Sequence, residues 1–224
     1  MTALVEPEHL TVTINGLRLH YVDYGEPHAG AHTVLLLHGL TSAWGTMRRV
    51  AEGLSDEYRV VALDQRGHGD SEWVAPDGYT TDEYLSDLDQ FIDHLGVDRV
   101  ILIGQSMGGH HTIAFTARRP ERLLASIAND ISPAPDVSDI DFSDRYPGGQ
   151  HPVSATPEDW IAPRREQSPT TPEWAHELAA RELLHEVEGG YEPKHDPNAP
   201  MRWQPTDLWD EARTIQLPLL IIRG

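Results

Sequence analysis

No cysteine occurs in the 224 residues, and Lys194 is the only lysine. Without cysteine there is no disulfide and no thiolate metal site, which fits a reducing compartment. Positive charge is scarce: 17 Lys and Arg stand against 36 Asp and Glu, a net charge of -19. Such a surface repels nucleic acid and anionic membranes, so neither is an expected partner. The shortage of lysine reads as genome composition or adaptation to salt, not as a binding feature. Long apolar runs are missing too, since none approaches the roughly 20 residues of a membrane span. The start, Met1-Thr-Ala-Leu-Val-Glu-Pro-Glu8, has neither the basic residues nor the apolar stretch of a secretion signal. The expected location is cytoplasmic, and the length suits one sizeable domain with room for an insertion.

What the chain does have is a regular alternation. Leu10-Thr-Val-Thr-Ile-Asn-Gly16 alternates apolar and polar residues into an Asn-Gly turn, and Leu17 to Tyr24 alternates again, the pattern of a β-hairpin. His32 to Gly39, Arg59 to Asp64, Arg99 to Gly104 and Leu123 to Asp130 are short apolar runs, as expected of strands buried on both faces of a parallel sheet. Ala43 to Leu54 has helical spacing. So has Thr80 to Leu95, which lines Tyr84, Leu88, Phe91, Ile92 and Leu95 on one face and stops at Gly96. His110 to Arg118 reads as a third helix. Alternation of this kind predicts right-handed crossovers and an α/β fold with a mostly parallel central sheet flanked by helices.

From Ile131 to Pro205 the rhythm stops. The stretch is rich in Pro, Asp and Trp, with helices predicted near Pro157 to Arg165 and Pro172 to Glu188 and no strand. A helix start at Thr206-Asp207 then precedes Leu217 to Gly224, which reads as a final buried strand.

Chemistry concentrates around Gly104-Gln105-Ser106-Met107-Gly108. This is G-x-S-x-G between a predicted strand and a predicted helix, where a sharp turn projects a serine oxygen from the backbone and a helix N-terminus favours developing negative charge. Ser106 is the candidate nucleophile. Parallel strands place His38-Gly39-Leu40 beside this turn at the carboxyl edge of the sheet, so the N–H groups of Leu40 and Met107 are candidate oxyanion donors. His38 reads as a hydrogen-bonded loop residue and not as a base. In Asp64-Gln-Arg-Gly-His-Gly-Asp-Ser71 the glycines suit a tight loop, pinned by local hydrogen bonds of Asp64 and Arg66.

Taken in order, His38-Gly39, Asp64-x-Arg66-Gly67-x-Gly69-x-Ser71, Gly104-x-Ser106-x-Gly108-Gly109 and Asp130-x-x-Pro133 make the stretch from His32 to Pro133 resemble the α/β-hydrolase superfamily. The resemblance is to its capped serine-hydrolase branch, the epoxide-hydrolase-like esterases. It implies a core over residues 1–134, a helical cap over 135–214, and a return to the core at 215–224. It implies a cofactor-free hydrolase that acts on a small ester, lactone or thioester through an acyl-enzyme on Ser106. An acyltransferase, a perhydrolase, a carbon–carbon bond hydrolase, or a non-catalytic or inactive fragment are the alternatives.

The resemblance further implies an acid after the strand ending at Ile222 and a histidine after one more strand. Both positions fall beyond Gly224, so the last strand and helix of the fold are expected to be missing and the chain to be a truncated product. Within the chain, Asp130 is the candidate acid. His110 and His111, about one helical turn past Ser106, point along the helix flank and not over the serine. His151, His176, His185 and His195 read as surface or pocket-lining residues, and Trp160, Trp174, Trp203 and Trp209 as pocket or packing residues. No H-E-x-x-H spacing occurs, and His110 and His111 face different directions on a helix, so no metal and no cofactor is expected. The expected partner is a small carbonyl compound.

Overall fold

The computed structural model describes residues 6–136 and 145–223. The alternating segments form the hairpin of β1 (Glu8–Ile14) and β2 (Leu17–Asp23), turned by Asn15 and Gly16 at φ 50° and 79°. The apolar runs form β3 (Thr33–Leu37), β4 (Arg59–Leu63), β5 (Val100–Gln105) and β6 (Leu123–Asn129). Between them lie α1 (Arg48–Leu54), α2 (Thr81–His94) and α3 (Met107–Arg118). Helix α1 is preceded by a 3-10 turn over Trp44–Met47, so the helical spacing from Ala43 is split in two. The Thr80 hydroxyl accepts from the Glu83 N–H to cap α2, and α3 begins at Met107, three residues ahead of the predicted start.

Beyond β6 the chain forms α4 (Pro157–Gln167), α5 (Glu173–Leu183), β7 (Leu184–Val187), β8 (Gly190–Pro193), α6 (Asn198–Arg202), α7 (Trp209–Ala212) and β9 (Leu219–Ile222). Strands β7 and β8 correct the expectation that this stretch holds no strand and that a helix runs on to Glu188. Helix α5 ends at Leu183, and Gly189 and Gly190, at φ 92° and 150°, turn the chain back into an antiparallel hairpin. The boundary region expected at the start of a cap includes residues 137–144, which lie outside the described residues.

The sheet runs β1-β2-β4-β3-β5-β6-β9. The first two pairings are antiparallel and the rest parallel, with Leu37 opposite Gly104 and Gln105 opposite Asn129. Because β3 has β4 on one side and β5 on the other, the order of travel reverses there. The crevice outside such a reversal is where ligands bind in open α/β sheets. Both faces are covered: Leu35, Leu37, Leu63 and Leu102 pack against Phe91, Ile92, Ile113 and Phe115 of α2 and α3, while Val34, Leu36, Val60 and Ala62 pack against Trp44, Met47 and Ala51. Period-two side chains on continuous apolar strands give this two-faced core. Among the described residues strand β9 pairs only with β6, and its Leu220 and Ile222 are 53% and 43% exposed. Among the described residues no helix is long and apolar enough to cross a membrane.

Candidate active site

The turn between β5 and α3 is built by close approach. A Cβ on Gly104 would lie 2.1 Å from the Gly108 carbonyl oxygen, and one on Gly108 would lie 2.6 Å from the carbonyl oxygens of both Leu37 and His38. Helix α3 therefore starts hard against the ends of β3 and β5, and only glycine fits at these two places. Ser106, between them, adopts φ 51° and ψ -114°. This is a left-handed conformation that costs a non-glycine residue on the order of 1–3 kcal/mol. Two more non-glycine residues share the strain: Thr41, just after β3, at φ 60°, and Asp130, just after β6, at φ 58°. Strained backbone thus gathers at the carboxyl ends of three neighbouring strands, the edge where the sheet order reverses. The Ser106 N–H donates to the Asn129 carbonyl at 2.9 Å. Its hydroxyl has no hydrogen-bond partner among the described residues.

Leu40 and Met107 meet in one apolar cluster with Tyr79, Tyr84, Ala199 and Trp203. Gly39 lies against the nucleophile turn, since a Cβ there would be 3.3 Å from Ser106 Cβ. Behind it His38 is fully buried. The Gln65 N–H donates to His38 Nε2 at 3.0 Å, which leaves Nδ1 to carry the proton and donate to the Gly39 carbonyl at 2.8 Å. Burial pushes the His38 pKa down, against the opposing pull of Asp64 and the Gly39 bond, so the ring is neutral. His38 is the hydrogen-bonded loop residue expected.

The remaining groups of Gln65 extend this arrangement. Its side-chain N–H donates to the His38 carbonyl at 2.8 Å, and its Oε1 accepts from His111 Nδ1 at 2.9 Å. His111 Nε2 in turn accepts from the Trp203 indole N–H at 3.2 Å. His111 is buried, and its pKa lies well below the ordinary value, first through burial and then through the charges of His110, His68 and His38. His110 donates from Nε2 to the Thr206 carbonyl at 3.0 Å. Both helix histidines therefore hold the chain between α6 and α7, and neither ring hydrogen-bonds the Ser106 hydroxyl. Gln65 and Trp203 as partners of His111 were not signalled by the sequence.

Asp130 is exposed, and its carboxylate accepts from Gln105 Nε2 at 3.3 Å; no described histidine bonds to it. Asp64 is buried and accepts from the Trp44 N–H at 2.7 Å, from the Asp70 N–H at 3.1 Å and from His20 Nδ1 at 2.7 Å. Burial favours its protonated form, but the His20 bond, the positive potential of His38 and His20 and the Trp44 bond hold the carboxyl below its usual value. Arg66 departs from the expected local role. Its guanidinium makes two bonds to Asp87 on α2, at 2.7 and 2.8 Å, and others to Glu83 and the Gly78 carbonyl. It ties its loop to a helix and not to Asp64.

Of the histidines expected at the surface or lining a pocket, His151, His176 and His195 are buried, while His185 pairs with Glu192 at 3.0 Å. A row of rings runs inward: His151 to His195 at 4.6 Å, His195 to His68 at 6.2 Å and His68 to His38 at 5.1 Å between centroids. Burial pushes His68 down to about 3 and His195 well below the ordinary value. Trp160 and Trp203 are buried and Trp174 and Trp209 exposed.

One group among the described residues has the spacing of a metal site, His20, Asp64 and Asp70, with ligand atoms within 4.8 Å of one another. His20 Nδ1 and Asp64 are committed to each other, and the Asp70 carboxylate pairs with Lys194 at 3.0 Å. The donor set is thus explained as structure.

Comparison with known proteins agrees with this geometry. The family model for the alpha/beta hydrolase fold matches residues 32–183. Epoxide hydrolase 4 of Mus musculus is 36% identical over 120 residues, which are 53% of this chain and 33% of that protein. The chain therefore spans about a third of the length of that relative. A 3-hydroxybutyrate-oligomer hydrolase of Cupriavidus necator is 32% identical over 230 residues, covering 92% of this chain and 76% of the relative. Among solved structures, E-2-(acetamidomethylene)succinate hydrolase superposes with a TM-score of 0.82 at 25% identity, covering 96% of this chain and 80% of its own.

Proposed function

Because the chain belongs to the alpha/beta hydrolase fold family, we propose that it is a serine hydrolase of small esters, lactones or thioesters, working without a cofactor in the cytoplasm. The observation that carries this reading is the Ser106 turn: a strained serine at the head of α3, with an uncommitted hydroxyl, beside a loop fixed by a neutral histidine. In the proposed reaction Ser106 Oγ adds to the substrate carbonyl carbon while a base takes its proton. The oxygen that gains the electron pair is held by the N–H groups of Leu40 and Met107. Collapse of the adduct breaks the bond to the alcohol or thiol, which leaves with the proton from the base. Water then attacks the acyl-Ser106 ester in the same way and releases the acid.

His38 and His111 have both ring nitrogens committed, and His110 is held by Thr206. In this reading none of these three is the base, and Asp130 is the candidate acid. Residues 135–214 act as the cap, and the cluster that Ala199 and Trp203 share with Met107 and Leu40 supports that role. The net charge of -19 supports a small-molecule partner over nucleic acid or a membrane.

The test is to incubate the folded chain with p-nitrophenyl acetate, quench with acid and map the acetyl group by mass spectrometry. An adduct on Ser106 that disappears in Ser106→Ala is expected; acetylation of other residues only, unchanged in the variant, would overturn the reading. A competing alcohol in the same reaction separates hydrolysis from acyl transfer by the product formed.

A further inference from the structure

We propose that Gln65, His111 and Trp203 are positioning residues for the oxyanion site, a hydrogen-bonded relay through which Trp203, between α6 and α7, sets the orientation of the Gly39–Leu40 peptide. The inference rests on the reading of Ser106 as nucleophile and Leu40 as oxyanion donor.

The argument turns on one peptide unit. The carbonyl of Gly39 and the N–H of Leu40 belong to the same peptide, and cis peptide bonds are absent among the described residues. In a trans peptide the N–H points opposite to the C=O. His38 Nδ1–H, by holding the Gly39 carbonyl at 2.8 Å, therefore fixes the direction in which the Leu40 N–H points. That hold requires the tautomer with the proton on Nδ1, and Gln65 enforces it by donating its backbone N–H to Nε2.

Gln65 is itself held by a chain of donors with one consistent direction. Trp203 has only a donor, so His111 Nε2 must be the bare nitrogen and Nδ1 the protonated one, which matches the Gln65 Oε1 it faces. The Gln65 amide is then oriented with its N–H toward the His38 carbonyl. Every polar atom along the path has a single assignment, and all of it is buried. Trp203 also belongs to the apolar cluster that includes Met107, the other oxyanion donor, and against which Leu40 packs. Loss of any link frees a rotation that the oxyanion site needs fixed, and the effect falls on the chemical step and not on ligand affinity.

The experiment measures phosphonylation of Ser106 in the 224-residue chain by a fluorophosphonate, resolved into kinact and KI by mass spectrometry. Gln65→Met keeps the volume and removes both side-chain bonds, and Trp203→Phe keeps a ring and removes the donor. Each is expected to lower kinact on the order of tenfold with KI within about twofold. Trp160→Phe trims a buried indole outside the relay and is expected to leave kinact unchanged. The imidazole 15N spectrum gives an independent reading, with His111 as the Nδ1–H tautomer in the parent and a mixture in the Gln65→Met/Trp203→Phe double variant. Unchanged kinact in Gln65→Met and Trp203→Phe would overturn the proposal, as would equal losses in Trp160→Phe. If the parent chain is not labelled at Ser106 but the His111 tautomer depends on Gln65 and Trp203, the nucleophile reading fails and the relay stands as a structural device.

Discussion

Lowering the pH from 8 toward 5.5 should destabilise this fold far more steeply than its carboxylates can explain. Six buried imidazoles, His38, His68, His110, His111, His151 and His195, have pKa values below the ordinary 6.5, in each case through burial first. An imidazole that stays neutral in the fold but protonates in the unfolded chain shifts the balance toward unfolding below pH 6.5. The unfolded state then binds the extra proton, so stability rises with pH and falls as pH drops. Each such group contributes about 1.4 kcal/mol per pH unit until its own folded pKa is reached. His68, His111 and His195 are shifted furthest, so these three alone account for about 4 kcal/mol per pH unit, against a total stability of about 5–15 kcal/mol for a typical domain. Asp64, with its lowered pKa, loses its contribution only in the carboxylate range and leaves this window untouched. Guanidinium denaturation at constant ionic strength, at pH 8, 7, 6 and 5.5, measures the slope, and His68→Leu should reduce it by about 1.4 kcal/mol per unit. A midpoint that stays constant between pH 7 and 5.5 would refute the burial argument for the whole row.

Three further outcomes follow from single contacts. Gly108→Ala, which drives a methyl to 2.6 Å from two backbone oxygens, should cost at least about 1–3 kcal/mol in denaturant melts, and a neutral result would mean that α3 is not pressed on β3 as described. Arg66→Met should cost about 3–5 kcal/mol because Asp87, almost fully buried, loses its charged partner and keeps only the Asn15 amide bond; adding Asp87→Leu should recover most of that, and additive losses would contradict a buried pair. Ser106→Gly should be more stable than Ser106→Ala by about 1 kcal/mol, since only glycine relaxes at φ 51°, and equal melting temperatures would show that the turn is not strained.

The core strands and the nucleophile turn were legible because their signals are local. Thr33–Leu37 and Arg59–Leu63 are unbroken apolar runs, and the glycines at 104 and 108 sit beside the serine they make room for. The β7–β8 hairpin was not legible: Leu184 to Val187 continues a helical pattern, and the two glycines that end it turn an antiparallel pair whose partner strand is short and polar. Arg66 finds its carboxylates 17 and 21 residues away on α2. Sequence gives no distance of that kind. The same holds for Gln65, His111 and Trp203, separated by 46 and 92 residues, and for the histidine row, whose members come from four separate segments. An isolated histidine in a polar stretch carries no mark of burial, so His151 and His195 read as surface or pocket-lining residues, and only the fold brings His195 against His68 and His151 against His195.

The most direct test of the account is where a fluorophosphonate reacts. The folded chain and the chain unfolded in urea are treated with the same probe at the same pH, digested, and the adducts mapped by mass spectrometry. The account predicts that folding raises phosphonylation at Ser106 well above that of any other serine, and that unfolding abolishes the difference. An adduct pattern that is the same in both states, or a folded chain in which Ser106 is no more reactive than Ser42 or Ser71, would contradict it.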